Sequence, residues 1–312
     1  MPHSQLLPQD FKSSVVAAPP IALTSDFEIA YDQNAALTRH IESGGARILL
    51  YGGNANLYHY GQRLYRDALK MMHAFQTERT SVITSIGPDF GKMLDQTKAV
   101  REIGLKNVML LPMAFPADSA GVANGARRVA NELGFGVILY IKDENYVHPD
   151  ELARLIREGV VRFVKYAVDR EDPVNDSYLD SILAEVGTDV VASGMGEVPI
   201  ADHLARRKLA TFTSGAVCIA PAAAMELLSL HKSGDTERAE QLAEPFLEFQ
   251  QLCCRIGSMK VLHDGVSISG VADMGPLLPM VSNITAAEKP EVQKVITGLL
   301  EVEKAVLEAV SV

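Results

Sequence analysis

Strand-like and helix-like segments alternate along most of this chain. Eight short runs rich in apolar and β-branched residues are separated by amphipathic helical segments. The predicted strands are residues 20–24, 47–51, 81–86, 107–112, 136–141, 160–166, 189–193 and 210–214. Such alternation builds a parallel sheet, and eight strand–helix units close most simply into a (β/α)8 barrel, an α/β fold. A doubly wound open sheet is the alternative, but no G-x-G-x-x-G motif follows the first predicted strand.

Helical periodicity replaces this alternation after the eighth predicted strand. Three segments carry apolar positions at helical spacing: 221–231, 236–254 and 290–310. We therefore predict three parts, namely an N-terminal arm over residues 1–17, the (β/α)8 barrel over 18–232, and a C-terminal helical extension over 233–312 that packs on the barrel.

Charge and composition exclude several classes of partner. The formal net charge of −10 disfavours nucleic acid or an anionic membrane surface as the main partner. The longest uncharged run, 209–225, contains Gly215 and Pro221 and is a poor transmembrane candidate. The N-terminus has no signal-peptide pattern, and the three cysteines have no disulfide or metal-ligand spacing. We expect a cytoplasmic protein without nucleic-acid or membrane partners.

The sixth predicted strand places a lysine among apolar residues. Strand alternation puts Val161, Phe163 and Lys165 on one face, with Lys165 at the C-terminal end. A lysine in a dry pocket tends to lose its proton, and the neutral amine can attack a carbonyl carbon to form a Schiff base. The alternative interpretation is a lysine that has left the sheet and reached water.

Other strand ends supply candidates for the same site, because active sites of (β/α)8 barrels lie at the C-terminal ends of the strands. Tyr140 ends the fifth predicted strand, and a phenol there can carry protons to and from an atom next to an iminium. Gly53 and Gly194 lie in turns whose exposed backbone N–H groups can hold a carboxylate. Asn54 and Ser214 are polar residues at the ends of strands two and eight.

The sequence predicts neither a metal site nor a serine hydrolase. The eight histidines show no metal-ligand spacing, and the serines at the strand ends lack a G-x-S-x-G context. Glu197 follows the seventh predicted strand and is a candidate acid or base. Such a residue more often stabilises the start of the following helix.

Taken together, these strand ends resemble the dihydrodipicolinate synthase / N-acetylneuraminate lyase family of class I aldolases, from about Pro19 to the C-terminus. Tyr140 matches the family's tyrosine after strand five, and Lys165 matches its Schiff-base lysine. The remaining matches are the turn 52–56 with the family's glycine–threonine–threonine–glycine–glutamate turn, Ser193-Gly194 with its serine–glycine pair, 213–215 with its strand-eight turn, and 275–279 with its late proline–leucine segment.

The resemblance implies both a mechanism and an assembly. Lys165 would condense with the keto group of pyruvate or another 2-keto acid, and the protonated imine would serve as an electron sink. Tyr140 would relay protons, and the strand-two turn would hold the carboxylate. The mechanism needs no cofactor or metal. Relatives are commonly tetramers or dimers, so the resemblance implies a homo-oligomer.

Departures from the family pattern point away from the synthase itself. Gly53 and Asn54 replace the paired threonines. Met113 and Ala114 stand where the synthases lend a tyrosine across a subunit interface, and Asn145 stands near the position of their arginine. We expect a Schiff-base-forming lyase, an aldolase or dehydratase, acting on a 2-keto acid derived from a sugar acid. A pyruvate-condensing synthase and a non-catalytic keto-acid-binding protein remain alternatives.

Overall fold

The structure, a computed structural model that describes residues 4–310, contains a closed parallel barrel. Its strands are β1 (Val16–Ala17), β2 (Ile48–Leu50), β3 (Ser81–Ile86), β4 (Val108–Leu110), β5 (Val137–Ile141), β6 (Val161–Tyr166), β7 (Val191–Ser193) and β8 (Thr211–Ser214). Each strand pairs in parallel with the next, and β8 pairs with β1. The predicted (β/α)8 fold is therefore confirmed, and the open-sheet alternative is excluded.

Helices surround the barrel and continue beyond it. They are α1 (Pro8–Lys12), α2 (Tyr31–Ser43), α3 (Gln62–Ala74), α4 (Phe90–Ile103), α5 (Ser119–Leu133), α6 (Pro149–Arg157), α7 (Ser177–Val186), α8 (Pro221–Ser233), α9 (Thr236–Ile256), α10 (Ser258–Ser269) and α11 (Lys289–Val310). Short 3-10 turns lie at Leu57–His59 and Ala216–Cys218, and Ala201–Arg206 is a π-helix. The C-terminal helices α9, α10 and α11 pack on one another and, through α9 and α11, on α8.

The first strand lies earlier than predicted. The prediction of a strand over residues 20–24 is wrong: Val16 and Ala17 instead pair with Ile48 and Leu49 on one side and with β8 on the other. The physical reason is the pair Pro19-Pro20, which has no backbone N–H to donate to a sheet.

The division into arm, barrel and extension remains a prediction, but β1 falls inside the predicted arm 1–17. Residues 1–3 of that arm and the last two residues of the predicted extension lie outside the described residues. Within the extension, the predicted helices correspond to α9 and α11, whereas α10 was not predicted.

The N-terminal segment closes one end of the barrel. Phe11 of α1 stacks on Phe163 of β6, with ring centroids 3.6 Å apart and an interplanar angle of 8°. The Leu6 N–H donates to Asn107 Oδ1 at 2.8 Å, just before β4. This packing at the N-terminal ends of the strands leaves the opposite end for a site.

Candidate active site

Lys165 and Tyr140 lie side by side near the C-terminal ends of two adjacent strands. β5 and β6 pair with Tyr140 opposite Lys165, and side chains of paired residues point to the same face of a sheet. The Lys165 Nζ atom lies 4.0 Å from the centroid of the Tyr140 ring, within cation–π distance. Both side chains are half-buried. The structure thus brings together the two residues predicted to carry the chemistry.

Phe163 identifies this shared face as the inside of the barrel. Phe163 lies on the same face of β6 as Lys165 and is covered by Phe11. Tyr166 projects to the opposite face, where its hydroxyl donates to Asp176 Oδ2 at 2.7 Å. The lysine therefore belongs to the barrel interior, whereas the tyrosine next to it belongs to the outer wall.

Close packing requires glycine at position 194. A β-carbon there would lie 3.0 Å from Lys165 Cγ and 2.7 Å from the Tyr166 carbonyl oxygen, which is closer than ordinary contacts allow. The Gly194 N–H donates to the same carbonyl oxygen at 2.6 Å. Gly194 thus lets the end of β7 approach the stem of Lys165.

The strand-two turn follows β2 and carries Gly53 and Asn54. A β-carbon at Gly53 would lie 3.8 Å from Tyr58 Cε2, an ordinary contact. The Asn54 side-chain N–H donates to the Ala18 carbonyl oxygen at 3.2 Å, which ties the turn to the segment after β1. Asn56 adopts a left-handed backbone conformation with φ 56° and is 3% exposed. It is therefore a buried residue at which the chain of the turn changes direction.

The Ser214 hydroxyl is engaged by protein partners. It accepts the Val217 N–H at 3.1 Å and donates to Glu197 Oε1. The register of β6, β7 and β8 puts Ser214 on the opposite face of the wall from Lys165. Glu197 is buried, and burial raises its pKa to about 7. Ser214 therefore lies at the predicted strand end, but its hydroxyl belongs to a buried pair in the wall.

Two tyrosines that sequence reasoning missed stand near Tyr140. Tyr58 lies in the 3-10 turn after β2, and Tyr146 lies in the loop after β5. Burial, together with repulsion from the phenols of Tyr140 and Tyr146, raises the pKa of Tyr58 to about 12. The Met113 N–H donates to the Tyr146 hydroxyl oxygen at 3.3 Å. Their position shortly after strand ends was the available signal, because irregular loops carry no periodicity.

A largely apolar cavity of about 720 Å³ lies between α4 and α5, next to Tyr146. Met113 and Leu139 contribute to its wall, as do Phe90 and Phe115. Phe115 is 84% exposed and Phe90 is 49% exposed, an unusual exposure for large apolar side chains.

The histidines form no candidate metal centre in the part of the chain that the structure describes. Among residues 4–310, no group of three histidine, cysteine, aspartate or glutamate side chains is placed to hold a metal ion. His203 instead lies 2.8 Å from Ser193 Oγ through Nδ1, and burial lowers its pKa to about 4. Over the same residues, no helix has the length and apolar character needed to cross a bilayer.

Several curated proteins of similar sequence share one description. No family model matches the chain. A probable 5-dehydro-4-deoxyglucarate dehydratase from Acinetobacter baumannii is 23% identical over 266 residues, which cover 82% of this chain and 85% of that protein. A protein of the same description from Rhizobium meliloti is 23% identical over 317 residues, covering 95% and 99%.

Solved structures share the fold over nearly the whole chain. Dihydrodipicolinate synthase from Bacillus clausii has a TM-score of 0.81 at 18% identity, over 95% of this chain and 99% of that chain. Ruminococcus gnavus sialic acid aldolase has a TM-score of 0.83 at 11% identity, with 95% and 99% covered. A dihydrodipicolinic acid synthase family protein from Escherichia coli, solved in complex with pyruvate, has a TM-score of 0.80 at 16% identity, with 92% and 98% covered.

The chain is a closed (β/α)8 barrel in which a lysine and a tyrosine lie side by side at the C-terminal ends of the strands, where such barrels carry their active sites. Along most of its length the chain is similar to these curated dehydratases, and it shares its fold with dihydrodipicolinate synthases and a sialic acid aldolase. The resemblance inferred from the strand ends is thereby confirmed. The predicted enzyme class, a lyase of the class I aldolase type, agrees with the descriptions of these relatives.

Proposed function

We propose that this protein is a lyase that forms a Schiff base with a 2-keto acid derived from a sugar acid. Lys165 is the nucleophile that attacks the keto carbon, and loss of water gives an iminium that accepts the electron pair of the breaking bond. Tyr140 carries protons to and from the atoms next to that iminium. The reaction is a dehydration or an aldol cleavage and uses no cofactor or metal.

The position of the Lys165 amine over the Tyr140 ring is the observation that carries this proposal. The 4.0 Å contact holds Nζ at the C-terminal end of the barrel interior, where a keto carbon has to be presented. The Tyr140 ring is thereby held directly beside the amine. Nucleophile and proton carrier are thus held by adjacent strands of a rigid sheet.

The substrate class comes from the relatives. Proteins named probable 5-dehydro-4-deoxyglucarate dehydratase align over most of the chain, so we propose a keto acid of that kind. Gly53, Asn54 and Gly194 are the proposed contacts for its carboxylate, because they border the lysine or the strand-two turn. Ser214 stays a proposed binding residue through its backbone at the end of β8, because its hydroxyl is bonded to Glu197 on the outer face of the wall.

We further propose that the protein works in the cytoplasm as a homo-oligomer, a dimer or tetramer. The exposed Phe115 beside the apolar cavity supports this, since a second copy would remove that surface from water. Light scattering coupled to size-exclusion chromatography tests it. A strict monomer at tens of micromolar would contradict it.

Borohydride trapping tests the chemistry. The protein is incubated with pyruvate or 5-dehydro-4-deoxyglucarate, reduced with borohydride, and analysed by intact mass and peptide mapping. We expect one reduced adduct, located on Lys165. Lys165→Ala should remove it, whereas Lys142→Ala, which removes an exposed lysine just beyond β5, should not.

Other outcomes of this experiment select the alternatives. Turnover of pyruvate with an added aldehyde, with no cleavage or dehydration of sugar-derived keto acids, would indicate a condensing synthase. Thermal stabilisation by a keto acid without adduct or turnover would indicate a non-catalytic binding protein. An adduct on a different lysine would overturn the assignment of Lys165.

A further inference from the structure

Three tyrosines lie at the open end of the barrel, although they come from different segments. Tyr58 belongs to the turn after β2, Tyr140 to β5, and Tyr146 to the loop after β5. All three are half-buried. Tyr58 follows β2, Tyr140 lies beside Lys165, and Tyr146 is held by the Met113 N–H just after β4, so all three are at the C-terminal ends of the strands, where the site lies.

The hydrogen bonds of these phenols are incomplete. Within the described residues, the hydroxyls of Tyr58 and Tyr140 have no hydrogen-bond partner. Tyr146 accepts a bond from Met113 and keeps its own proton free to donate. Half-buried hydroxyls that donate to no protein acceptor remain available to a ligand.

Tyrosines of the barrel wall behave differently. Tyr65 donates to the Ser85 carbonyl oxygen at 3.0 Å, Tyr166 to Asp176 at 2.7 Å, and Tyr178 to the Val147 carbonyl oxygen at 2.6 Å. The hydroxyls of Tyr58 and Tyr140 at the mouth of the barrel thus differ from those of these three wall tyrosines.

Hydrogen bonds hold the backbone of one of these tyrosines and the hydroxyl of another before any ligand binds. Lys92 Nζ donates to the Tyr58 carbonyl oxygen at 2.8 Å, which holds the turn that carries Tyr58. The Met113 N–H holds the Tyr146 hydroxyl itself. Groups positioned before the ligand arrives lose little conformational entropy on binding.

We propose that Tyr58 and Tyr146 bind the hydroxyl-bearing carbons of the substrate beyond the keto carbon held by Lys165. A neutral phenol both donates and accepts, which matches an alcohol better than it matches a carboxylate or a cation. The inference rests on the proposed function for the location of the keto carbon. It assigns Tyr58 and Tyr146 to the selection of a hydroxylated carbon chain.

Two ligands of equal chain length test the inference. 5-Dehydro-4-deoxyglucarate and 2-oxoadipate share a six-carbon keto diacid skeleton, and only the former carries hydroxyls. Both are titrated calorimetrically in a Lys165→Ala background, where imine turnover cannot consume the ligand. Tyr58→Phe and Tyr146→Phe are then added singly, with Tyr31→Phe, an exposed phenol on α2, as the matched control.

The expected effect is selective. Each of the two substitutions should weaken binding of the hydroxylated acid by about five-fold, the cost of one neutral hydrogen bond, and that of 2-oxoadipate by less than about two-fold. Tyr31→Phe should change neither. Equal losses for both acids, or no preference of the parent protein for the hydroxylated acid, would overturn the inference.

Borohydride trapping on the protein with Lys165 intact separates this inference from the proposed function. Selective loss in the titrations without any Lys165 adduct would keep the role of the phenols and overturn the Schiff-base mechanism. An adduct on Lys165 without selective loss would support the Schiff-base mechanism and overturn the role of the two phenols.

Discussion

The inner face of β6 has two unlike ends. Phe163, toward the N-terminal end of the strand, is 3% exposed and is covered by Phe11 at stacking distance. Lys165, two residues later on the same face, is half-buried and has the Tyr140 ring as its contact. One strand thus contributes to the packed, closed end of the barrel and, two residues later, to the open end that carries the candidate site.

The difference extends to the polar groups around each end. At the closed end, Leu6 bonds to Asn107, and the Gln5 amide donates to the Gly136 carbonyl oxygen at 3.1 Å. At the open end, the hydroxyls of Tyr58 and Tyr140 make no hydrogen bond to any of residues 4–310. We conclude that the closed end contributes mainly to stability and the open end mainly to ligand binding, as (β/α)8 barrels generally divide these tasks.

Replacing the lysine should have the largest effect on activity. Lys165→Met keeps the length and apolar stem of the side chain but removes the amine, so turnover should fall by at least about 10³-fold, as for removal of other catalytic nucleophiles. Circular dichroism and the urea unfolding midpoint should stay close to those of the parent, since Lys165 has no ion-pair partner among the described residues. Appreciable turnover by the folded variant would contradict the proposed mechanism.

Weakening the packing at the closed end of the barrel should instead lower stability and leave the chemistry at Lys165 in place. Phe11→Ala removes a buried ring from its stack on Phe163 and should lower the free energy of unfolding by about 3–5 kcal/mol. Phe11→Leu, which keeps most of the apolar volume, should cost clearly less. Urea unfolding gives the stability, and borohydride trapping on the folded fraction should still modify Lys165. Loss of trapping in the folded variant would show that the two ends are coupled.

Sequence reasoning reached the barrel and its central pair of residues for a physical reason. Buried parallel strands are dense in β-branched residues, and the alternation along 160–166 assigns Phe163 and Lys165 to one face. Once strands five and six are neighbours, Tyr140 and Lys165 at their ends have to lie close together.

The remaining features depend on information that local patterns do not hold. The helix α10 was not predicted, because Gly265 in its middle lowers the helix propensity of this segment. Tertiary packing explains the glycine: a β-carbon at this position would lie 2.8 Å from Ile296 Cδ1. The bond between Ser214 and Glu197 depends on how the chain turns after β7. Tyr58 and Tyr146 could not be placed because the paths of their loops are set by tertiary contacts.

The buried Glu197, on the outer face of the barrel wall, should make the stability of the protein depend on pH. Burial keeps its pKa near 7, whereas an unfolded glutamate titrates near 4.5. As pH rises from 4.5 to 7, the unfolded chain releases this proton first, so the folded state loses up to about 3 kcal/mol of stability over that window. Glu197→Gln should remove this decline.

Denaturant unfolding between pH 4.5 and 8 measures that difference. His203 acts with the opposite sign, because burial lowers its pKa to about 4 and stability falls as pH drops below its unfolded value. The comparison therefore uses Glu197→Gln against the parent at each pH, so that the His203 contribution cancels. Parallel stability profiles would show that the Glu197 carboxyl is not held in its neutral form.

Replacing two tyrosines on adjacent strands should give the smallest changes in stability and separates the two faces of the barrel wall most directly. Tyr166→Phe removes the donor to Asp176, a carboxylate with only 1% of its side chain exposed, and should cost about 1–3 kcal/mol of stability. Tyr140→Phe removes a hydroxyl without a partner in the described structure and should change stability by less than about 0.5 kcal/mol. Turnover should respond in the opposite order, falling steeply in Tyr140→Phe and staying near the parent value in Tyr166→Phe. If both variants lost stability and activity together, the phenols on the two faces of the wall would have to be regarded as one network, and the separation between wall and site would fail.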